Sequence, residues 1–122
     1  PGMPQFRTIR AVTGDYALRY EDSGVHFEDS IGCCGDWRKP GVPFEIPYRV
    51  LTAPGVDNAL AAGRIVSTAD REALEVTRVI PVAALTGEAA GIAAALCEGD
   101  VHRVDAHAVA HEMCAAGNTI HL

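Results

Sequence analysis

The sequence predicts an α+β fold: a small β-sheet, one long buried helix of small residues and a C-terminal helix. Three observations predict it. Residues 7–18 and 44–51 alternate apolar and polar positions, the period of a half-buried strand. Residues 81–97 are almost wholly Ala, Gly, Val, Leu and Ile, a run with no polar face to give to water. Asp105 and Gly117 bracket residues 106–116 as an N-cap and a C-terminal stop.

Each element follows from local chemistry. Residues 7–18 read as a strand interrupted by a turn at Thr13-Gly14-Asp15. Residues 19–30 are polar, with Val25-His26-Phe27 as a short strand. Glycines and prolines around Cys33, Cys34 and Trp37 make residues 31–43 a structured loop. Residues 44–51 place Phe44, Ile46, Tyr48 and Val50 on one face, and Pro47 marks an edge strand. Residues 53–58 form a turn, and residues 59–66 a short apolar strand. Ser67 and Asp70 stand at cap-like positions for a helix starting over residues 67–74. Pro81 suits the first turn of the long helix, which runs to about Cys97 and stops near Gly99.

Composition narrows the function. The chain has 122 residues, enough for one domain, with ten basic and sixteen acidic residues and a net charge of −6. The basic residues are scattered apart from Arg38-Lys39, which argues against a nucleic-acid partner. Residues 79–97 hold one charge, Glu88, and a GxxxG pair at Gly87 and Gly91. Charge at a helix centre and an Ala-rich makeup argue against a membrane span. The small residues suit tight packing on a sheet instead. Cys33, Cys34, Cys97 and Cys114 form no secreted disulfide framework and no CxxC pair, so a cytoplasmic location is expected. No secretory signal pattern is seen, and the chain opens on Pro1-Gly2 rather than Met.

Several constellations could carry chemistry. The strand–loop–helix over residues 60–90 offers a helix N-terminus, a close backbone approach at Gly63, and charge from Arg64 and Arg78. The bland alternative is plain helix–sheet packing. His107, His111 and Cys114 share one face of the last helix at i, i+4 and i+7, with His102 nearby. They read as solvent-facing side chains, so no metal site is assigned. Cys33 and Cys34 read as ordinary loop cysteines rather than a redox pair. No GxSxG nucleophile elbow occurs.

Residues 44–96 resemble the C-terminal part of FAD-dependent oxidoreductases of the two-dinucleotide-binding-domain group. That family shows IPYR, then DN and AGR steps, then RVMP, then GQAAG. The chain has Ile46-Pro47-Tyr48-Arg49, Gly55-Val56-Asp57-Asn58, Ala62-Gly63-Arg64, Arg78-Val79-Ile80-Pro81 and Gly87-Glu88-Ala89-Ala90-Gly91. Residues 10–18 and 27–31 are similar to the family's preceding segment, and the likeness runs to about residue 115. Arg71 stands where many members have His, Glu88 replaces Gln, and the loop after Ser67 is about one residue longer. These departures fall mainly on the substrate side.

The resemblance implies an FAD cofactor and a small-molecule substrate. It places Gly63 and Arg64 by the ribityl-pyrophosphate portion, and Arg78, Val79 and Pro81 by the flavin ring. The dipole of the long helix would stabilise negative charge on the reduced ring. It also implies that Asp36, Trp37, Arg38 and Arg49 face the substrate. The division that follows is 1–52 in a substrate-covering β-domain, 53–99 as the last strand and helix of the FAD domain, and 100–122 as a C-terminal helix. None of the twelve glycines forms GxGxxG, the motif that seats a dinucleotide pyrophosphate. The expectation is therefore a C-terminal fragment or one polypeptide of a split enzyme, inactive alone. Its partner would be a missing N-terminal FAD-binding part, or another copy through self-association. The alternative is a free-standing α+β interaction or subunit module without cofactor chemistry.

Overall fold

The computed structural model describes residues 10–122. Among them two strands, β1 (Ser30–Gly35) and β2 (Pro43–Pro47), pair antiparallel. Three α-helices follow: α1 (Arg71–Thr77), α2 (Ile80–Leu96) and α3 (Ala106–Ala115). Single 3-10 turns at Tyr20–Asp22, Tyr48–Val50, Gly63–Ile65 and Val101–Arg103 connect them. The arrangement is α+β.

Strand β1 corrects the expected loop over residues 31–43. Ser30 faces Pro47, Cys33 faces Glu45, Cys34 faces Phe44 and Gly35 faces Pro43, with an irregularity between Ser30 and Cys33. Its composition hides it, because glycine and cysteine add little β-propensity. Pairing with β2 supplies what propensity does not. Gly32 is required at the irregularity: a Cβ there would lie 2.5 Å from Leu85 Cδ1 on α2.

Three expected strands are not regular strands. The described part of residues 7–18 makes separate bonds rather than a ladder: Val12 N–H to Ile65 O (2.9 Å) and Leu18 N–H to Ser67 O (3.1 Å). The rest of that stretch lies outside the described residues. Residues 25–27 carry no regular secondary structure. Residues 59–66 leave the extended conformation at Gly63, whose φ is +71° and which opens a 3-10 turn. Strand β2 also ends sooner than residue 51, turning into the 3-10 turn Tyr48–Val50.

The helices follow their caps. Asp70 accepts from Ala73 N–H and starts α1, while Ser67 Oγ accepts from Gly14 N–H instead of capping. Asp105 accepts from His107 N–H and starts α3, which closes at Gly117 with Asn118 N–H donating to Met113 O at 3.0 Å. Pro81 lies in the first turn of α2. Helices α1 and α2 are bent by 77° at Arg78-Val79, and no single helix among the described residues is long and apolar enough to cross a membrane.

The core draws on every part of the chain. Leu18, Ile31, Ile46, Val50, Leu51, Val66, Leu85, Ala89, Val109 and Met113 form one buried cluster. Helix α2 contributes a single stripe of Val82, Leu85, Thr86, Ala89 and Ala93, spaced to share one helical face. Its other faces, including Ile80, Ala83, Ala84, Gly87, Gly91 and Ala94, are exposed. In this chain the helix is therefore buried along one side, not on most sides.

Candidate functional site

A cleft of about 430 Å³ opens between β1 and the N-terminal half of α2. It is lined by Cys33, Cys34, Gly35, Trp37, Val79, Pro81, Val82, Ala84, Leu85, Glu88 and Asn118. This volume falls in the range of small-molecule sites, and most of the lining is apolar. The α2 residues follow from helical spacing, since Pro81, Ala84, Leu85 and Glu88 stand at i, i+3, i+4 and i+7. No side chain caps the α2 N-terminus at Val79, so the positive end of the helix dipole is left to whatever occupies the cleft.

Trp37 reaches the cleft because its loop is fastened to α1. Its indole N–H donates to Glu75 O at 3.1 Å, yet 62% of the residue stays exposed. Glu75 in turn pairs with Arg78 through the Arg78 Nε (2.7 Å) and Nη2. That pairing holds the Glu75 carboxyl below its usual range. Arg38 forms a two-point contact with the buried Asp36 carboxylate, Nε and Nη2 each at 2.9 Å. Tyr20 Oη also donates to Asp36 at 2.8 Å. The Arg38 guanidinium holds the Asp36 carboxyl well below the usual carboxylate range. The Arg38–Asp36 and Trp37–Glu75 contacts together fix the turn between β1 and β2.

Arg49 stands apart from the cleft. It makes a two-point contact with Asp29 at 2.9 and 3.0 Å and lies over the Tyr16 ring at 5.2 Å. The Ile46-Pro47-Tyr48-Arg49 motif therefore acts as a brace in this chain. Tyr48 N–H donates to Asp29 O at 2.7 Å, and the buried Tyr48 hydroxyl donates to Val101 O at 2.8 Å. Gly63 packs against the α2 first turns, its N–H donating to Thr86 Oγ1 at 2.9 Å. Arg64 follows it in the same 3-10 turn and is exposed.

Of the residues singled out in the sequence, the structure brings Trp37, Val79 and Pro81 to one cleft. Gly63 and Arg64 lie beside α2, Arg78 at the α1–α2 elbow, and Arg38 and Arg49 in carboxylate pairs. Cys33, Cys34 and Glu88 also line the cleft. Spacing along α2 could have found Glu88, but nothing local pointed to Asn118. Both cysteines are unpaired thiols. Burial pushes the Cys34 thiol up to about 12 and raises that of Cys33 as well. Neither is a thiolate nucleophile at neutral pH.

The model of the FAD dependent oxidoreductase family matches residues 3–113 of this chain. The chain belongs to the FAD-dependent oxidoreductase family. No match was found among curated proteins or among solved structures. Membership implies FAD in the complete protein. The cleft residues have the chemistry for one end of that cofactor. An uncapped helix N-terminus over a mostly apolar cleft suits a flavin ring. The pyrophosphate end lacks its glycine-rich seat, because no GxGxxG exists in the sequence.

Proposed function

We propose that this chain supplies the C-terminal part of an FAD-dependent oxidoreductase acting on a small organic molecule. The observation that carries the proposal is the coincidence of Trp37, Val79 and Pro81 around the uncapped start of α2 in a chain of this family. When bound, the flavin accepts or gives a hydride. The chain's own residues would hold the ring and shield it. Val79, Pro81 and Leu85 give an apolar wall, Trp37 closes the substrate side, and the α2 dipole favours electron-rich atoms at its N-terminus. Gly63 and Arg64 would approach the ribityl-pyrophosphate portion, and Arg78 would place the elbow beside the ring. Arg38 and Arg49 act through the loops they fasten. The dinucleotide end requires another polypeptide segment, so the isolated chain is not catalytic. Four unpaired thiols support a reducing, cytoplasmic compartment.

Trp37 is the only tryptophan in the chain, so its fluorescence reports on the cleft directly. Titration with lumiflavin, the ring without its tail, should give saturable quenching. Absence of saturable quenching would overturn the placement of the ring. Gel filtration of the chain mixed with FAD should leave the cofactor unbound. Stoichiometric retention would refute the need for a second segment.

The exposed outer face of α2 favours one other reading: an interaction or subunit module that kept the scaffold without cofactor chemistry. Self-association through that face, with no flavin response at Trp37, is its signature.

A further inference from the structure

On the opposite side of β2 from Phe44 and Ile46, three side chains converge. Glu45 is only 1% exposed, a carboxylate buried in the sheet. His26 Nδ1 lies 3.4 Å from Glu45 Oε1, and His121 Nδ1 lies 3.1 Å from Glu45 Oε2. One donor atom from each residue falls within 4.8 Å of the other two. This is the only such group of three among the described residues. None of the three lines the flavin cleft.

We propose that His26, Glu45 and His121 bind a divalent transition-metal cation of the zinc class. Metal–nitrogen and metal–oxygen bonds of about 2.0–2.2 Å put neighbouring donors on one ion about 3–3.5 Å apart. The two imidazole nitrogens already stand at that spacing from the carboxylate. The carboxylate is held in place before any ion arrives: Phe27 N–H donates to Oε2 at 2.8 Å, and Leu122 N–H donates to Oε1 at 3.0 Å. A carboxylate has about four lone-pair positions, so both oxygens keep capacity for an ion. Glu28 Oε1 lies 3.8 Å from His26 Nε2, on the far side of the ring from the site. An outer carboxylate on a ligating histidine fixes the ring and raises its basicity.

The two histidine rings lie 4.5 Å apart, tilted by 42°. Imidazole with a single carboxylate suits zinc, copper, nickel or iron, while calcium and magnesium favour all-oxygen sets. Both histidines are partly exposed, so the remaining coordination positions open to water. The ion would join three distant segments: the loop before Phe27, strand β2 and residue 121. That makes it a clamp for the tail.

The test uses the full chain with its accessible thiols alkylated, titrated with zinc and, separately, with cobalt as a visible-absorption probe. Expected is one equivalent of zinc per chain, a cobalt spectrum of low-coordinate nitrogen/oxygen type, and a rise in melting temperature with zinc but not with calcium. Loss of an outer-shell partner alone typically costs 10–100-fold in affinity, so H26A and H121A should each weaken zinc binding by about 100-fold or more. Both positions are partly exposed, so these variants keep the fold, and circular dichroism verifies it. The double variant H107A/H111A should bind zinc as the parent does. Failure of the parent chain to bind zinc overturns the proposal. So does binding that survives both H26A and H121A.

Discussion

Strand β2 and helix α2 treat their surroundings in opposite ways. Around β2 the buried Glu45 carboxylate has its partners inside the chain: it accepts from Phe27, His121 and Leu122, and among the described residues no buried side-chain polar atom lacks a partner. Along α2 the inner stripe is packed, while Ile80 at its start is 86% exposed. The difference teaches which surface the sequence completes by itself. The buried charge of the sheet is matched within the chain. The outer face of α2 is apolar and uncovered, the surface that the proposed second segment would have to meet.

Four variants break or sharpen that contrast. Leu85 is 9% exposed on the inner stripe, and L85A should cost about 2–5 kcal/mol in denaturant unfolding. A loss under about 1 kcal/mol would mean the stripe is not core. G32A drives a methyl into Leu85 and should cost about 1–3 kcal/mol. If the close approach is the cause, the double variant G32A/L85A will lose less than the sum of the two.

The third variant concerns pH. The Asp36 carboxyl is held below its ordinary value by Arg38, so the folded chain binds fewer protons than the unfolded chain on the acid side. Its stabilisation is full above the unfolded carboxylate value of about 3.9 and is lost as pH falls through the folded one. Melting curves between about pH 5 and pH 3 should therefore fall more steeply for the parent chain than for D36N. Equal slopes would show that Asp36 is not held by the pair. The smallest effect belongs to I80A, which should change stability by less than about 0.5 kcal/mol. The same change should reduce self-association of the isolated chain. Unchanged sedimentation would move the sticky surface elsewhere.

Much of this was legible in the sequence. Pro81, Asp70, Asp105 and Gly117 announced the helices because caps and stops are local chemistry. The motifs over residues 44–96 pointed to the family by resemblance rather than by local chemistry. What was hidden depends on partners. Strand β1 carries Gly32, Cys33, Cys34 and Gly35, which say nothing of a strand until β2 pairs with them. Residues 59–66 look like a strand by apolarity, and Gly63 undoes that with one left-handed turn. In the candidate site, Pro81 is legible as a helix start, whereas Val79 came only with the family resemblance. The contributions of Cys33, Cys34 and Asn118 came only with the fold. His26, Glu45 and His121 were invisible as a set, because 76 residues separate Glu45 from His121.

That separation also sets an order of events during synthesis. Ser30 Oγ donates to Ile120 O at 2.6 Å across 90 residues, and Glu45 gains two of its partners from residues 121 and 122. At ribosomal rates of about 5–20 residues per second, those partners emerge roughly 5–18 s after Ser30. Until then a carboxylate destined for burial has the Phe27 N–H but lacks the tail. The contacts of the sheet with residues 120–122 therefore wait until that stretch has left the exit tunnel, and His121 reaches Glu45 only after 76 further residues have been added.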